Sequence, residues 1–365
     1  MIKNMRKFIA TATILTVMTG ALAGCGSNKV NTAEKAKDEP TTESSTPEKE
    51  YMINAGGSSF VNPLFSKMFS EYNKLNPNIK INYQSIGSGA GIKQLTAETI
   101  DFAASDAYMK DEDEKTVKNG VVHIPITVGA VAVIYNVEGV DTGLKLTQET
   151  LSGIYLGNIK NWNDAKIKAD NADVKLPDLA ITPVYRSDSS GTTSIFTDYL
   201  TTVSPEWKDK VGQGKAVKFP AGIGAKGNEG VSGQVKQTPG SIGYTELAYA
   251  TVNDISFADL RNKDGKFVAP SLEAATLAAE AAAVDMPKDT KVSLVEKSGA
   301  DSYGIVGFAW ILANTTYADA DKKKVIVDLI KWANTDGQNY SNDLYYGKLP
   351  ESIIKLNEEN IATIK

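Results

Sequence analysis

The sequence predicts an α/β fold in which parallel sheets are covered by helices on both faces. Strand-like and helix-like segments alternate from about residue 51 to the end of the chain. Such alternation is typical of strands joined by crossover helices. The alternating part spans residues 51–365, which is longer than one domain of usual size. We therefore expect two such domains.

The elements are placed by two patterns. Strands are predicted where β-branched and aromatic residues run together, and helices where apolar residues recur every three or four positions. The first helix, for example, carries Leu64, Met68 and Tyr72 on one face. The predicted strands are 53–60, 80–87, 101–107, 121–136, 178–187, 240–247 and 304–314. The predicted helices are 64–75, 88–100, 195–203 and 325–333. Pro125 and Gly129 interrupt the longest strand-like run.

The N-terminus has the pattern of a secretory signal. Basic residues precede a mostly apolar stretch at 8–23, which is too short and too weakly apolar for a membrane-spanning helix. The motif LAGC at 22–25 resembles the lipobox of bacterial lipoproteins, and it ends at Cys25, the only cysteine of the chain. The resemblance implies that residues 1–24 are removed and that Cys25 is acylated, with palmitate for example. The alternative is a plain signal peptide with a chance cysteine.

The composition of the chain after Cys25 limits its possible structure and partners. Residues 26–50 are rich in Lys, Glu, Ser, Thr and Pro without an aromatic residue, so we expect a flexible tether. The following residues contain no cysteine and must rely on a large core instead of disulfides. The formal net charge of −5 argues against nucleic acid as a partner, so an anion site would need local donors.

Three segments share one design, in which a strand, a turn of small residues and a helix follow one another. They are GGSSFVNPLF (56–65), GSGAGIKQL (87–95) and SSGTTSIF (189–196). A helix start presents unpaired N–H groups and a partial positive charge, and Ser and Thr add hydroxyl donors. These segments predict an anion site at the carboxyl ends of the strands. The alternative for each is an ordinary helix cap.

Three charged residues refine this prediction. Arg186 offers a planar fork of donors to an oxyanion, and Asp188 is placed to hold that fork. The alternative is a surface ion pair of little value. Asp106 ends an apolar strand and should face the same cleft. A carboxylate there repels an anion unless the anion carries a proton, which phosphate does at neutral pH and sulfate does not.

Enzyme chemistry finds little support. A serine hydrolase needs a general base, and the only histidine, His123, lies in an apolar run where we expect a core residue. The acidic run 110–115 contains no histidine and is expected to be a solvated helix start. GAKGNEG at 224–230 is glycine-rich but does not predict the flanking strand and helix of a phosphate-binding loop. We expect no catalytic residue, cofactor or metal.

Eight motifs in one order resemble the phosphate-binding proteins of bacterial phosphate ABC importers. They are AGGSSFVNPL, YQSIGSGAGIKQL, DFAASDA, LSGIYLGNIKNW, YRSDSSGTTSIFTDYL, GIGAKGNEGV, PGSIGYTELAYA and YYGKLP. The resemblance covers residues 51–355. It implies the type II periplasmic-binding-protein fold, with mixed sheets flanked by helices and a ligand cleft between two domains. The implied domains are 51–128 with 303–365, and 129–302, with Gly129 and Gly304 at the crossings.

The resemblance also implies functional residues. The implied phosphate-binding residues are Ser59, Phe60, Ser88, Asp106, Arg186, Ser190, Gly191 and Thr192, with Asp188 orienting Arg186. Ser59 stands where threonine is common, Ser189 where glycine is common, and Tyr185 where a second basic residue can occur. None of these departures removes a donor.

The resemblance implies a monomeric receptor that is anchored to the outer face of the cytoplasmic membrane. It would pass phosphate to an ABC permease with a cytoplasmic ATPase. Three alternatives stay open at this point. The first is a receptor for sulfate, molybdate or a phosphonate. The second is a secreted phosphatase that uses Ser190 or Asp106. The third is an adhesin or signalling protein with a vestigial site.

Overall fold

The computed structural model describes residues 49–365. The strands are β1 (Tyr51–Gly57), β2 (Ile79–Ser85), β3 (Phe102–Ser105), β4 (Val121–Tyr135), β5 (Lys145–Leu146), β6 (Thr182–Arg186), β7 (Ile223–Ala225), β8 (Ser241–Glu246), β9 (Asp259–Arg261), β10 (Phe267–Val268) and β11 (Val306–Asn314). The predicted signal peptide, Cys25 and all but the last two residues of the predicted tether lie outside the described residues.

Helices lie between most of the strands. They are α1 (Asn62–Leu75), α2 (Ser88–Thr96), α3 (Asp111–Glu114), α4 (Gln148–Tyr155), α5 (Ala165–Asp170), α6 (Gly191–Val203), α7 (Pro205–Lys210), α8 (Gly227–Gln237), α9 (Leu247–Val252), α10 (Leu272–Ala283), α11 (Ala320–Asn334) and α12 (Glu351–Ile361). Two short 3₁₀ helices, Asp336–Tyr340 and Asn342–Leu344, precede α12. Within residues 49–365, no helix has the length and apolar character needed to cross a membrane.

The main sheet has eight strands in the order β2-β1-β3-β11-β4-β8-β6-β7, and a small sheet has the order β10-β9-β5. The outer strands of the main sheet pair in parallel, as the alternation predicts. The central pairs β3–β11, β11–β4 and β4–β8 are antiparallel. The prediction of purely parallel sheets is therefore wrong, whereas the mixed sheets that the family resemblance implies are present.

Strand β4 connects the two halves of the main sheet. Its residues 121–130 pair with β11, and residues 131–135 pair with β8. The interruption predicted at Pro125 does not break the strand, because the pairing register shifts at Ala309/Trp310 opposite it. Such a bulge accommodates a residue that lacks an N–H group. Gly129 also lies within the continuous strand, opposite Gly307.

The predicted helices form because their apolar positions face the sheet. In α1, five apolar residues at helical spacing are buried, and proline stands in the first turn, where its missing N–H costs nothing. Helix α6 is preceded by Ser190, whose hydroxyl caps the helix by accepting from Thr193 N. Helix α10 was not predicted, because its buried positions are all alanine and give no pattern of large apolar residues.

The turn after β1 requires glycine. Gly57 has φ +136°, a conformation that side chains other than hydrogen disfavour. A Cβ at this position would lie 2.1 Å from the carbonyl oxygen of Ala104 on the neighbouring strand. This close approach places the next residue, Ser58, where its amide donates to the same oxygen at 2.9 Å.

We expect Gly57→Ala to lower the free energy of unfolding by at least about 2 kcal/mol, because it combines backbone strain with a backbone clash. The matched control is Gly233→Ala in α8, where a Cβ meets nothing within 4 Å. That variant should be stabilised by up to about 1 kcal/mol, since alanine favours a helix. Urea denaturation of both variants measures the difference, and equal stabilities would contradict the role of Gly57.

Candidate functional site

The residues singled out from the sequence come together where the two halves of the main sheet face each other. Those from the first half follow β1 and β3 or begin α2, and those from the second half follow β6 or begin α6. The residues brought together and buried are Ser59, Phe60, Ser88, Asp106, Arg186, Ser190, Gly191 and Thr192. Ligands of open α/β folds bind at this end of the strands.

The two halves touch through backbone amides at this point. The amide of Gly191 donates to Ser88 Oγ at 3.2 Å. A Cβ on Gly191 would lie 2.5 Å from both Ser88 Oγ and Asp106 Oδ2, so only glycine permits the contact. The amide of Gly89 donates to the carbonyl of Ser189 at 2.9 Å. The start of α2 therefore lies directly against the turn that begins α6.

The same contact accounts for Ser189, the residue that departs from the family pattern. A Cβ on Gly89 would lie 2.0 Å from Ser189 Oγ. The serine side chain therefore occupies space that the glycine of α2 leaves free. Ser189 contributes its carbonyl and its packing to the contact between the halves.

Arg186 is buried and held by its neighbours. Its Nε donates to Asp188 Oδ1 at 2.7 Å and its Nη2 to Oδ2 at 2.5 Å. Gly227 N also donates to Asp188, at 3.1 Å. Burial acts to raise the pKa of Asp188, but the hydrogen bonds and charge of Arg186 outweigh burial and lower it. Arg186 Nη1 lies 3.3 Å from Thr192 Oγ1, so the fixed guanidinium keeps two of its five N–H groups for another acceptor.

Asp106 is a buried carboxyl among donors. Its Oδ1 accepts from Ser58 Oγ, and its Oδ2 lies 3.5 Å from Ser88 Oγ. Burial raises the pKa of Asp106 to about 7, against the opposing effects of the Ser58 hydrogen bond and the charge of Arg186. This group can therefore accept or release a proton close to neutral pH.

Three site hydroxyls accept two N–H bonds each. Ser88 Oγ accepts from the amides of Asp106 at 3.3 Å and Gly191 at 3.2 Å. Ser59 Oγ and Thr192 Oγ1 have corresponding pairs of donors, in which Asn228 takes part. A hydroxyl has two lone pairs and one proton. The arrangement occupies the lone pairs and leaves the proton to donate. The proton of Ser88 faces Asp106 Oδ2 at 3.5 Å, whereas those of Ser59 and Thr192 can meet a ligand.

Ser190 and Phe60 have structural contacts. Ser190 Oγ accepts from Thr193 N at 3.0 Å, so this hydroxyl is a helix cap, and its own proton is not used in that bond. The carbonyl of Phe60 accepts from Tyr346 Oη at 2.6 Å. The Phe60 ring lies against Gly129 of β4, where a Cβ would come within 2.7 Å of it.

The sequence reasoning missed Ser58, Asn228 and Tyr244. Tyr244 Oη accepts from Arg186 N at 3.1 Å and lies 2.7 Å from Thr193 Oγ1. Its ring stacks on Phe196 with 4.1 Å between centroids, which fixes the hydroxyl in place. A tyrosine within a strand gives no sequence signal for this role.

The sequence around Asn228 did contain a pattern that points to the site. The segment 224–230 does lie between a strand, β7, and a helix, α8, so the prediction that it lacks this context is wrong. It is a fourth case of a strand, a turn of small residues and a helix. The strand has only three residues, which is too short for a pattern of apolar residues to mark.

The residues considered for enzyme chemistry lie elsewhere. His123 is buried in β4, as predicted, and its Nε2 accepts from Met109 N at 3.0 Å. Burial lowers the pKa of His123 to about 4. The acidic run forms the exposed helix α3. In the part of the chain that the structure describes, no group of three or more His, Cys, Asp or Glu residues is arranged to hold a metal.

Comparison with known proteins identifies the family. Residues 33–333 match the model of the PBP superfamily domain. The phosphate-binding protein PstS of Xylella fastidiosa is 40% identical over 356 residues, which are 96% of this chain and 97% of the relative. The PstS protein of Pasteurella multocida is 42% identical over 304 residues, or 83% of this chain and 88% of the relative.

Solved structures share the fold. A high affinity periplasmic phosphate-binding protein bound with phosphate aligns with TM-score 0.68 at 19% identity, over 84% of this chain and 92% of that one. A putative phosphate ABC transporter substrate-binding protein from Clostridium perfringens aligns with TM-score 0.58 at 19% identity, over 82% and 100%. The predicted fold class and the family resemblance are both confirmed. The chain belongs to the family of PstS phosphate-binding proteins within the PBP superfamily.

Proposed function

We propose that this protein captures inorganic phosphate outside the cytoplasmic membrane and delivers it to a membrane ABC permease with a cytoplasmic ATPase. It binds the anion without carrying out chemistry on it. The relatives are named phosphate-binding proteins, and one solved structure of the same fold carries a phosphate ABC transporter name. Phosphate is the only ligand in this proposal, and no cofactor takes part.

One observation carries the choice of ligand. A buried carboxyl, Asp106, stands among hydroxyl and N–H donors that otherwise suit any oxyanion. An anion without a proton would place its oxygen against a carboxylate with nothing to donate between them. Such an unpaired buried acceptor costs several kcal/mol. Phosphate keeps a proton at neutral pH and donates it to Asp106.

The remaining proposed ligand groups act as donors. These are the hydroxyls of Ser59, Ser88, Ser190 and Thr192, the amides of Phe60 and Gly191, and the guanidinium of Arg186, oriented by Asp188. Charge-assisted bonds of this kind contribute about 1.5–3 kcal/mol each before ordering costs. They are sufficient for micromolar or tighter affinity, which needs about −8 kcal/mol.

Binding is proposed to close a cleft. The proposed domains are 51–128 with 303–365, and 129–302, joined where β4 and the start of β11 pass between them. Gly129 and Gly304 are the proposed hinge positions. Because the donors come from both domains, phosphate stabilises the closed arrangement by binding it more tightly than the open one.

The proposed location follows from the N-terminal motif. Acylated Cys25 would anchor the protein to the outer face of the cytoplasmic membrane, since two or more acyl chains give stable attachment. The tether of residues 26–50 would then hold the binding domains above the membrane surface. We propose that the protein acts as a monomer.

Calorimetric titration of residues 26–365 should give a phosphate Kd of about 1 µM or tighter. Sulfate has the same size and shape but no proton to donate at neutral pH. Its Kd at pH 8 should be weaker by at least about tenfold, or about 1.4 kcal/mol. Sulfate binding comparable to that of phosphate would overturn the proposed ligand.

Asp106→Asn should reduce the discrimination between the two anions more than it weakens phosphate binding. The amide is isosteric and donates where the carboxylate accepts, so sulfate affinity should rise by at least about tenfold. Asp259→Asn, a half-buried carboxyl of β9 outside the site, is the matched control and should leave both affinities unchanged. An unchanged phosphate-to-sulfate ratio in Asp106→Asn would refute the proton-acceptor role.

Sulfate affinity should also depend on pH. Burial raises the pKa of Asp106 from its ordinary 3.8 to about 7, so the site gains a proton as the pH falls below 7. The protonated carboxyl then donates to sulfate, whose own charge is constant over this range. Titrations between pH 8 and pH 5 should show sulfate binding strengthening with acidity. The dependence should disappear in Asp106→Asn, and its persistence there would assign it to another group.

A further inference from the structure

Asn228 is fully buried at the start of α8 and contacts hydroxyls from both halves of the protein. Its backbone amide and its Nδ2 each lie 3.1 Å from Ser59 Oγ, which belongs to the turn after β1. The same Nδ2 lies 3.1 Å from Thr192 Oγ1 in the first turn of α6. Both hydroxyls are among the proposed phosphate ligands.

The orientation of the Asn228 amide is fixed by its other end. Oδ1 accepts from Glu246 N at 3.3 Å and from Thr245 Oγ1 at 3.2 Å. A backbone N–H can only donate, so the side-chain atom that faces it must be the oxygen. The NH₂ group therefore faces the two hydroxyls, with one N–H available to each.

The count of lone pairs then determines where the hydroxyl protons go. Ser59 Oγ receives two N–H bonds from Asn228, which occupy both of its lone pairs. Thr192 Oγ1 receives one bond from Asn228 and one from Arg186 Nη1 at 3.3 Å, which occupy both of its lone pairs. Neither hydroxyl proton can point back at these donors. Each has to donate to a different acceptor.

We propose that Asn228 is a positioning residue for phosphate binding, which directs the hydroxyl protons of Ser59 and Thr192 onto the anion. Through this single side chain, one donor from each half of the protein is set for the same ligand. The inference rests on the proposed function, since phosphate is the acceptor that receives the two protons. Asn228 itself need not touch the anion.

The test is calorimetric titration of inorganic phosphate into variants of residues 26–365. Asn228→Asp keeps the size of the side chain, but its carboxylate has no N–H, so the two hydroxyls would donate to it instead of to phosphate. The phosphate Kd should weaken by about a hundredfold or more at pH 8. Asn228→Ala removes the side-chain donors and keeps the backbone donor, so a loss of about tenfold is expected.

A double-mutant cycle separates positioning from a general structural role. In a Ser59→Ala, Thr192→Val background there are no hydroxyl protons left to direct, so adding Asn228→Ala should change the Kd by less than about threefold. Asn357→Ala is the matched control. Asn357 is also fully buried and donates to Pro125 O at 2.7 Å and Asn334 Oδ1 at 2.7 Å, away from the site. It should lower the melting temperature and leave the Kd unchanged.

Each outcome decides between the two proposals. If the wild-type chain does not bind phosphate, the proposed function fails and this inference fails with it. If the wild type binds but folded Asn228→Asp and Asn228→Ala bind equally well, only the role of Asn228 fails. It also fails if Asn228→Ala loses its full tenfold in the background without the hydroxyls. Cooperative melting identifies the folded variants, and Asn228→Asp decides the result should the smaller alanine prevent folding.

Discussion

The site depends on the close approach of two backbone turns, one from each half of the main sheet. Gly191 reaches Ser88 through its amide, and Gly89 reaches the carbonyl of Ser189, with no room for a Cβ at either glycine. Contacts made by backbone amides with a carbonyl or a short side chain vary less than contacts between long side chains. The donors of the two halves are therefore held at fixed separations, as a small anion with few contact points requires.

Many polar groups are buried at this contact, and their arrangement limits the ligand. Burying a polar group is costly unless it has a partner, so a network of this size has to be almost completely paired. The N–H groups occupy the hydroxyl lone pairs, and Asp188 holds the guanidinium of Arg186. The network is left with protons to donate and with one exceptional acceptor, Asp106. The proposed ligand, an oxyanion that carries a proton, satisfies both.

The sequence allowed the groups that act through local structure to be predicted. Small residues at a helix start, an arginine with a nearby aspartate and a carboxyl at a strand end each carry their signal within a few positions. The segments that contain Ser58 and Asn228 carry the same kind of signal, but the roles of these two residues could not be assigned from it. Their roles depend on partners such as Thr192 and Asp106, which are distant in the chain. The same limit explains why the strand order of the main sheet was not predicted. The alternation of elements identifies the strands, but it does not show that β11 returns antiparallel between β3 and β4.

The return of β11 has a consequence for the order in which the protein can fold during synthesis. β11 is the last strand of the chain, yet it lies between β3 and β4, which precede it by more than 170 residues. A nascent chain that ends before Val306 leaves the facing edges of both strands without hydrogen-bond partners. Two carbonyls of β4 gain their side-chain donors even later in synthesis. Asn357 donates to the carbonyl of Pro125, and Gln338 donates to that of Ile126. The first half of the sheet is therefore completed only when almost the whole chain has been made.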